Sequence, residues 1–224
     1  MSKLVAVGPA PKRLLIRRDS QLTCLAKGNF TLQPASATRK CLLACSHAST
    51  RRRFPPNWKP FSHIAGIAWL VFYLLFLLYA AADRTGFLII DYVNLIIHEG
   101  GHFFFSWFGH TIMILGGTLG ELLVPLLCAA YFWWKQETTA VAFSSFWFFE
   151  NFLYIGTYMA DARASALPLV GSEESDWTIL FTQWGLLRKD LQIGATTRAL
   201  GWLGMLATVA WLAWRIWRDA KARD

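Results

Sequence analysis

Residues Ile64 to Ala82 read IAGIAWLVFYLLFLLYAAA, nineteen positions in a row without a charge. That is close to the roughly 20 residues a helix needs to cross a hydrocarbon layer about 30 Å thick. Four further apolar stretches follow it. Gly86–Gly109 is interrupted by Asp91, His98, Glu99 and His102, Thr111–Trp134 by Glu121, Thr138–Ala160 by Glu150, and Gly194–Trp217 by Arg198. Buried helices of a soluble protein keep a polar face. These stretches are apolar nearly all round and carry Trp133, Trp134, Trp214 and Trp217 near their ends, as at lipid–water interfaces. The expected fold is therefore all-α, a polytopic membrane bundle of about five apolar segments.

Composition agrees. Of 224 residues 55% are hydrophobic and 16% charged, against roughly 25% charged in soluble domains. The net charge of +8 is carried by the amino-terminal tail, where residues 1–60 hold 12 of the 22 Lys and Arg and a single acid, Asp19. A basic flank just before an apolar run is a topology signal, and it argues against a nucleic-acid partner. The chain divides into a basic, flexible tail or targeting segment (1–60), a transmembrane domain (61–217) and a short basic end (218–224). A bacterial inner-membrane protein with a cytosolic tail is expected. An organellar membrane protein, after loss of an Arg-rich transit peptide, is the alternative. Cys24, Cys41, Cys45 and Cys128 form no CxxC pair, so neither a disulfide framework nor a zinc knuckle is indicated.

Arg51, Arg52, Arg53 and Lys59 place the amino end in the cytoplasm. Counting crossings from there brings His102 and Asp161 to the cytoplasmic side and sets residues 56 and 136 on opposite faces. Five crossings also put the basic carboxyl end outside, against the same rule. A re-entrant segment removes the conflict, and Thr111–Gly117 with its Gly116-Gly117 pair is the expected place. Between the last two apolar segments, Trp177, Leu180, Phe181, Trp184 and Leu187 recur at helical spacing behind Ser175 and Asp176. This predicts an amphipathic helix lying in the interface.

The chemistry sits in His98-Glu99-Gly100-Gly101-His102, an HExxH motif. Four residues apart on a helix, both imidazoles leave one face and suit a zinc ion, and Glu99 is placed to act as general base. From this composition the pattern arises by chance in roughly three chains per thousand. Ionisable groups inside a lipid-spanning helix cost about 2.5–3.5 kcal/mol per charge, so a mere packing role would have to absorb that cost repeatedly within five residues. Asp91 and Asn94 continue the same stripe and are expected to orient an imidazole or to bond at the outer interface. Gly100 and Gly101 each cost about 1 kcal/mol relative to Ala. Close approach of another backbone accounts for them, with Gly116 and Gly120 as a GxxxG partner.

On these residues the chain resembles the site-2 protease family of membrane-embedded zinc metallopeptidases: HEGGH at 98–102, a Gly-containing segment after it, and Asp161 at the end of a later span. The resemblance covers roughly residues 86–161. It implies zinc held by two motif histidines and a distant aspartate, water activated by Glu99, and transmembrane or membrane-associated protein substrates in contact with membrane lipid. The family's later Asp-Gly pair does not occur in this chain. Four carboxylates compete for third ligand. Glu121 and Glu150 lie near the depth of His98, and Asp176 could serve from the loop. Asp161 is taken because Glu150, Tyr154, Thr157 and Asp161 line one helix face and the resemblance calls for an aspartate in a later span. The expectation is a zinc metallopeptidase acting at or within the bilayer. A metal-dependent enzyme acting on lipid, and a non-catalytic metal-binding or transport protein, are the alternatives.

Overall fold

Runs free of charge become helices here, and side chains at the breaks build the turns. The computed structural model describes residues 58–59, 62–169 and 174–221. Its helices are α1 (His63–Ala82), α2 (Asp91–Phe105), α3 (His110–Lys135), α4 (Thr138–Asp161), α5 (Asp176–Gln183) and α6 (Asp190–Lys221), with 3-10 turns at Ser106–Phe108 and Leu187–Lys189. No strand occurs among the described residues. Asp83 ends α1 by accepting bonds from the Thr85 hydroxyl (2.8 Å) and the Gly86 N–H (2.7 Å). Gly86 then takes a φ of +72°, where a Cβ is unfavourable.

Three helices are long and apolar enough to cross a membrane: α1, α3 and the stretch Leu187–Lys221 that contains α6. Within α1 only Gly66 and Tyr73 are buried, while Ile64, Ile67, Leu75 and Leu78 are each more than half exposed. An apolar surface of that extent calls for lipid. With 15 residues, α2 is only about 22 Å long, short of a full crossing.

Glycines set the closest helix pairs. A methyl group on Gly101 would overlap the Gly116 carbonyl, and one on Gly120 would stand 3.0 Å from the Ile97 carbonyl oxygen, so α2 and α3 meet backbone to backbone. Gly100 has nothing within 4 Å and takes no part. Gly156 and Gly194 do the same for α4 and α6. Tyr73, Phe146, Met205 and Leu212 form one buried cluster between α1, α4 and α6, and Ile114, Ile155, Trp177, Leu180 and Phe181 a second between α3, α4 and α5. Pro125 lies inside α3 and cannot donate to the Glu121 carbonyl four residues back. Asn151 of α4 fills that vacancy, its Nδ2 donating to Glu121 O at 2.6 Å.

Several expectations change. Thr111–Gly117 is continuous helix within α3, not re-entrant backbone. The amphipathic helix is present as α5, but Trp177, Leu180 and Phe181 are 6%, 0% and 1% exposed. Its apolar face therefore covers protein, and each of these side chains stabilises the docking by about 1.5–3 kcal/mol relative to water. The basic tail expected over residues 1–60 lies, apart from Trp58 and Lys59, outside the described residues, as do Cys24, Cys41 and Cys45.

Helix ends also pair differently. The Lys59 N–H donates to Gln136 O (3.0 Å) and its ammonium pairs with Glu137 (2.6 Å). Trp58 packs edge-on against Trp133 (5.0 Å between ring centres), and Arg215 lies 3.5 Å from the Thr138 hydroxyl. The start of α1, the α3–α4 turn and the end of α6 thus share one end of the bundle. Gly86 against Thr157, and Arg163 bonded to Asp190 at 2.7 Å, mark the other end. The chain just before α1 and residue 136 are neighbours, not on opposite faces, and His102 and Asp161 lie at the end away from them.

Candidate metal centre

His98 and His102 leave α2 one turn apart, as their spacing requires, and their rings stand 4.6 Å apart between centres. The Nε2 atoms of both converge on one oxygen. Asp176 Oδ2 lies 2.9 Å from His98 Nε2 and 3.1 Å from His102 Nε2. These three ligand atoms all fall within 4.8 Å of one another. A tetrahedral zinc with bonds of about 2.0–2.1 Å sets its ligand atoms about 3.3 Å apart, within a few tenths of an ångström of the two separations from Asp176.

The remaining ring nitrogens explain why a cation belongs there. His102 Nδ1 lies 2.8 Å from the Met113 carbonyl oxygen, which can only accept, so the Nδ1–H is committed and the neutral ring turns a lone pair on Asp176. His98 Nδ1 lies 3.2 Å from Glu121 Oε1. That contact is close but poorly aligned, and neither atom has another hydrogen-bond partner. Each imidazole is thus set between two acceptors, and only a proton or a metal ion can relieve the convergence at Asp176. A carboxylate or carbonyl behind each ligating imidazole is the usual support of such a site. The residues present fit a dication, whose charge Asp176 and the buried Glu121 would balance.

Local sequence builds this geometry. Gly117 lies against the His98 ring, where a Cβ would overlap the imidazole. The Gly116-Gly117 pair therefore serves two purposes, one for the α2 backbone and one for the His98 side chain. Asp176 begins α5, so burial of Trp177, Leu180 and Phe181 fixes its position. When protons rather than a metal ion fill the convergence, burial raises the Asp176 carboxyl but hydrogen bonds from His102 and His98 outweigh it and hold the group at about 2, so it is ionised at neutral pH. A cavity of about 350 Å³ opens on the cluster, lined also by Glu99, His110, Tyr154 and Tyr158. Glu99 is exposed within it.

Of the expected site residues, His98, Glu99 and His102 come together and Asp161 does not. The Asp161 carboxylate accepts the backbone N–H groups of Ala166 (3.0 Å) and Leu167 (3.0 Å) and shapes the loop after α4. Its place beside the histidines is taken by Asp176, one of the competitors from the sequence. The loop doubles back, which no periodicity reports; the signal available was an aspartate opening a short amphipathic helix. Glu121 stands behind His98 and outside the converging set.

Asp91 and Asn94 do not orient an imidazole. Asp91 accepts from Leu88 N (2.6 Å) and Asn94 Nδ2 (2.8 Å), and Asn94 further contacts Glu150 Oε2 (3.3 Å) and accepts from Trp147 Nε1 (2.7 Å). Glu150 is thereby bound into a separate network.

No family model matches the chain, and no curated protein or solved structure matches it either.

Proposed function

We propose that this protein is a multi-pass membrane zinc metallopeptidase that hydrolyses peptide bonds at the membrane, with His98, His102 and Asp176 as ligands and Glu99 as general base. The observation that carries this reading is the convergence of two imidazole Nε2 atoms and one carboxylate oxygen at a cavity that Glu99 also lines. Three protein ligands with one side open to a cavity are the arrangement of catalytic rather than structural zinc. Zinc held there would polarise a scissile carbonyl and make water acidic enough to attack near neutral pH.

The chain's own groups supply the rest. Glu99 accepts the proton of the attacking water and passes it to the departing amine as the C–N bond breaks. His110 lines the same cavity and would offer a donor to the oxyanion that forms. Membrane lipid surrounds the exposed faces of α1 and α2, and membrane-associated proteins are the proposed substrates.

The test is metal analysis beside activity. Purified protein should hold close to one zinc per chain, His98→Ala and His102→Ala should lose it while still inserting, and Glu99→Gln should keep zinc but lose hydrolysis. Full zinc retention in both histidine variants would remove the site. A Glu99→Gln variant as active as the native protein would move the reading to non-hydrolytic metal binding.

A further inference from the structure

We infer that the segment from Asp83 to Gly109 is a re-entrant hairpin, that the chain crosses the membrane four times, and that the metal centre opens on the face opposite both chain ends. The argument follows helix levels. Measured at about 1.5 Å per residue from the α3–α4 turn, Glu150 stands about 18 Å up α4 and Met113 about 33 Å up α3. Asn94, near the start of α2, contacts Glu150, whereas His102, near its end, contacts Met113. So α2 starts at mid-depth and climbs towards the far end.

Yet the chain enters α2 from that same far end. Gly86 lies against Thr157, about 28 Å up α4, and Phe87 packs on Tyr154 one turn lower. The Ile89 N–H is 3.2 Å from the Tyr79 hydroxyl, near the end of α1. Residues 86–90 therefore descend, α2 returns, and the short length of α2 follows from its being half of a hairpin. Its helical start, the positive end of the dipole, is left at mid-depth, where lipid offers no partner, and the N–H groups of Asp91, Val93 and Asn94 turn back on the Leu88 and Ile90 carbonyls. The buried Asp91–Asn94–Glu150 network lies at this point and supplies carboxylates to it.

With the hairpin making no net crossing, α1, α3, α4 and α6 cross and both chain ends fall on one side. The contacts among Trp58, Trp133, Arg215 and Thr138 place the start of α1 and the end of α6 there directly. The parity conflict in the charges disappears as well. Lys59, Lys135, Arg215, Arg218 and Lys221 belong to that end, and in sequence Arg51, Arg52, Arg53 and Arg223 flank them, against Arg84, Arg163, Arg188, Lys189 and Arg198 towards the other. The richer end is cytoplasmic by the positive-inside rule. His102 and Asp176 then lie near the outer face, and, resting on the metallopeptidase reading, the substrates are peptide segments presented in the extracytoplasmic compartment.

Single cysteines, placed in a full-length background with Cys24, Cys41, Cys45 and Cys128 replaced by Ser, test this with a membrane-impermeant maleimide on intact cells. Trp107→Cys and Ala164→Cys should label from outside, and Lys59→Cys, Lys135→Cys and Lys221→Cys only after permeabilisation. Lys59→Cys and Lys135→Cys on opposite faces would overturn the hairpin. Both labelling from outside would overturn the compartment. Labelling does not depend on metal, so protein that binds no zinc but labels as expected would sink the enzyme reading and leave the topology standing.

Discussion

Two polar clusters lie on the same short helix and differ in one respect. At the start of α2, Asp91 and Asn94 meet Glu150 and Trp147, and every polar atom of the Asn94 side chain has a partner. One to two turns later, His98 and His102 meet Asp176 with nitrogens and a carboxylate oxygen facing one another and no donor to spare. Both include a buried carboxylate, Glu150 in the first and Glu121 in the second, while Asp176 itself is half-buried. With a donor amide set between its carboxylates, such a group closes a helix end; with acceptors alone converging, it makes a site for a cation. Burial of a carboxylate alone does not separate the two cases.

The sharpest way to break this comparison is Asp176→Ala, which should abolish stoichiometric zinc binding, measured by metal analysis of the purified protein. Zinc bound to that variant as tightly as to the native chain would return the third-ligand role to another carboxylate. Next in size is Glu121→Ala. Supporting carboxylates behind a ligating histidine are worth about 10–100-fold in metal affinity, so chelator competition should show a loss of that order. Glu121→Gln, whose carbonyl still accepts the His98 Nδ1–H, should recover part of it. An X-ray absorption spectrum that lost a ligand in Glu121→Ala would instead place Glu121 on the metal.

At the start of α2, Asn94→Ala should leave zinc stoichiometry unchanged while lowering stability. It strips partners from Asp91, Glu150 and Trp147, and each orphaned group costs about 1–3 kcal/mol; unfolding in detergent would measure the loss. A zinc defect at full stability would show that the two clusters are one. The smallest effect is expected for Asp161→Asn, whose amide oxygen can still accept the Ala166 and Leu167 N–H groups. Zinc affinity within a few-fold of native is anticipated in the same chelator titration, and a loss as large as that of Asp176→Ala would revive Asp161 as a ligand.

Glycine placement shows how far local pattern reached. The expectation that Gly101, Gly116 and Gly120 mark close backbone contact holds, because small residues at helical spacing report packing wherever the partner lies. Gly100, included on the same ground, meets nothing, since which glycine faces the neighbour depends on how the helix is rotated. Gly117 serves the His98 ring, a contact between different helices that spacing along the chain does not reveal.

The sequence by itself determined what depends on neighbours along the chain: the all-helical character, three apolar helices of membrane-spanning length, and the HExxH face, because one helical turn places His98 over His102 whatever surrounds them. Tertiary structure alone decided what depends on separate segments meeting. The loop after α4 returns to bring Asp176, not Asp161, to the histidines. The α3 helix carries Glu121 behind His98, and α2 begins at mid-depth as half of a hairpin. Depth, rotation and the return of a loop are fixed by packing between helices, and charge and periodicity along one chain record none of the three.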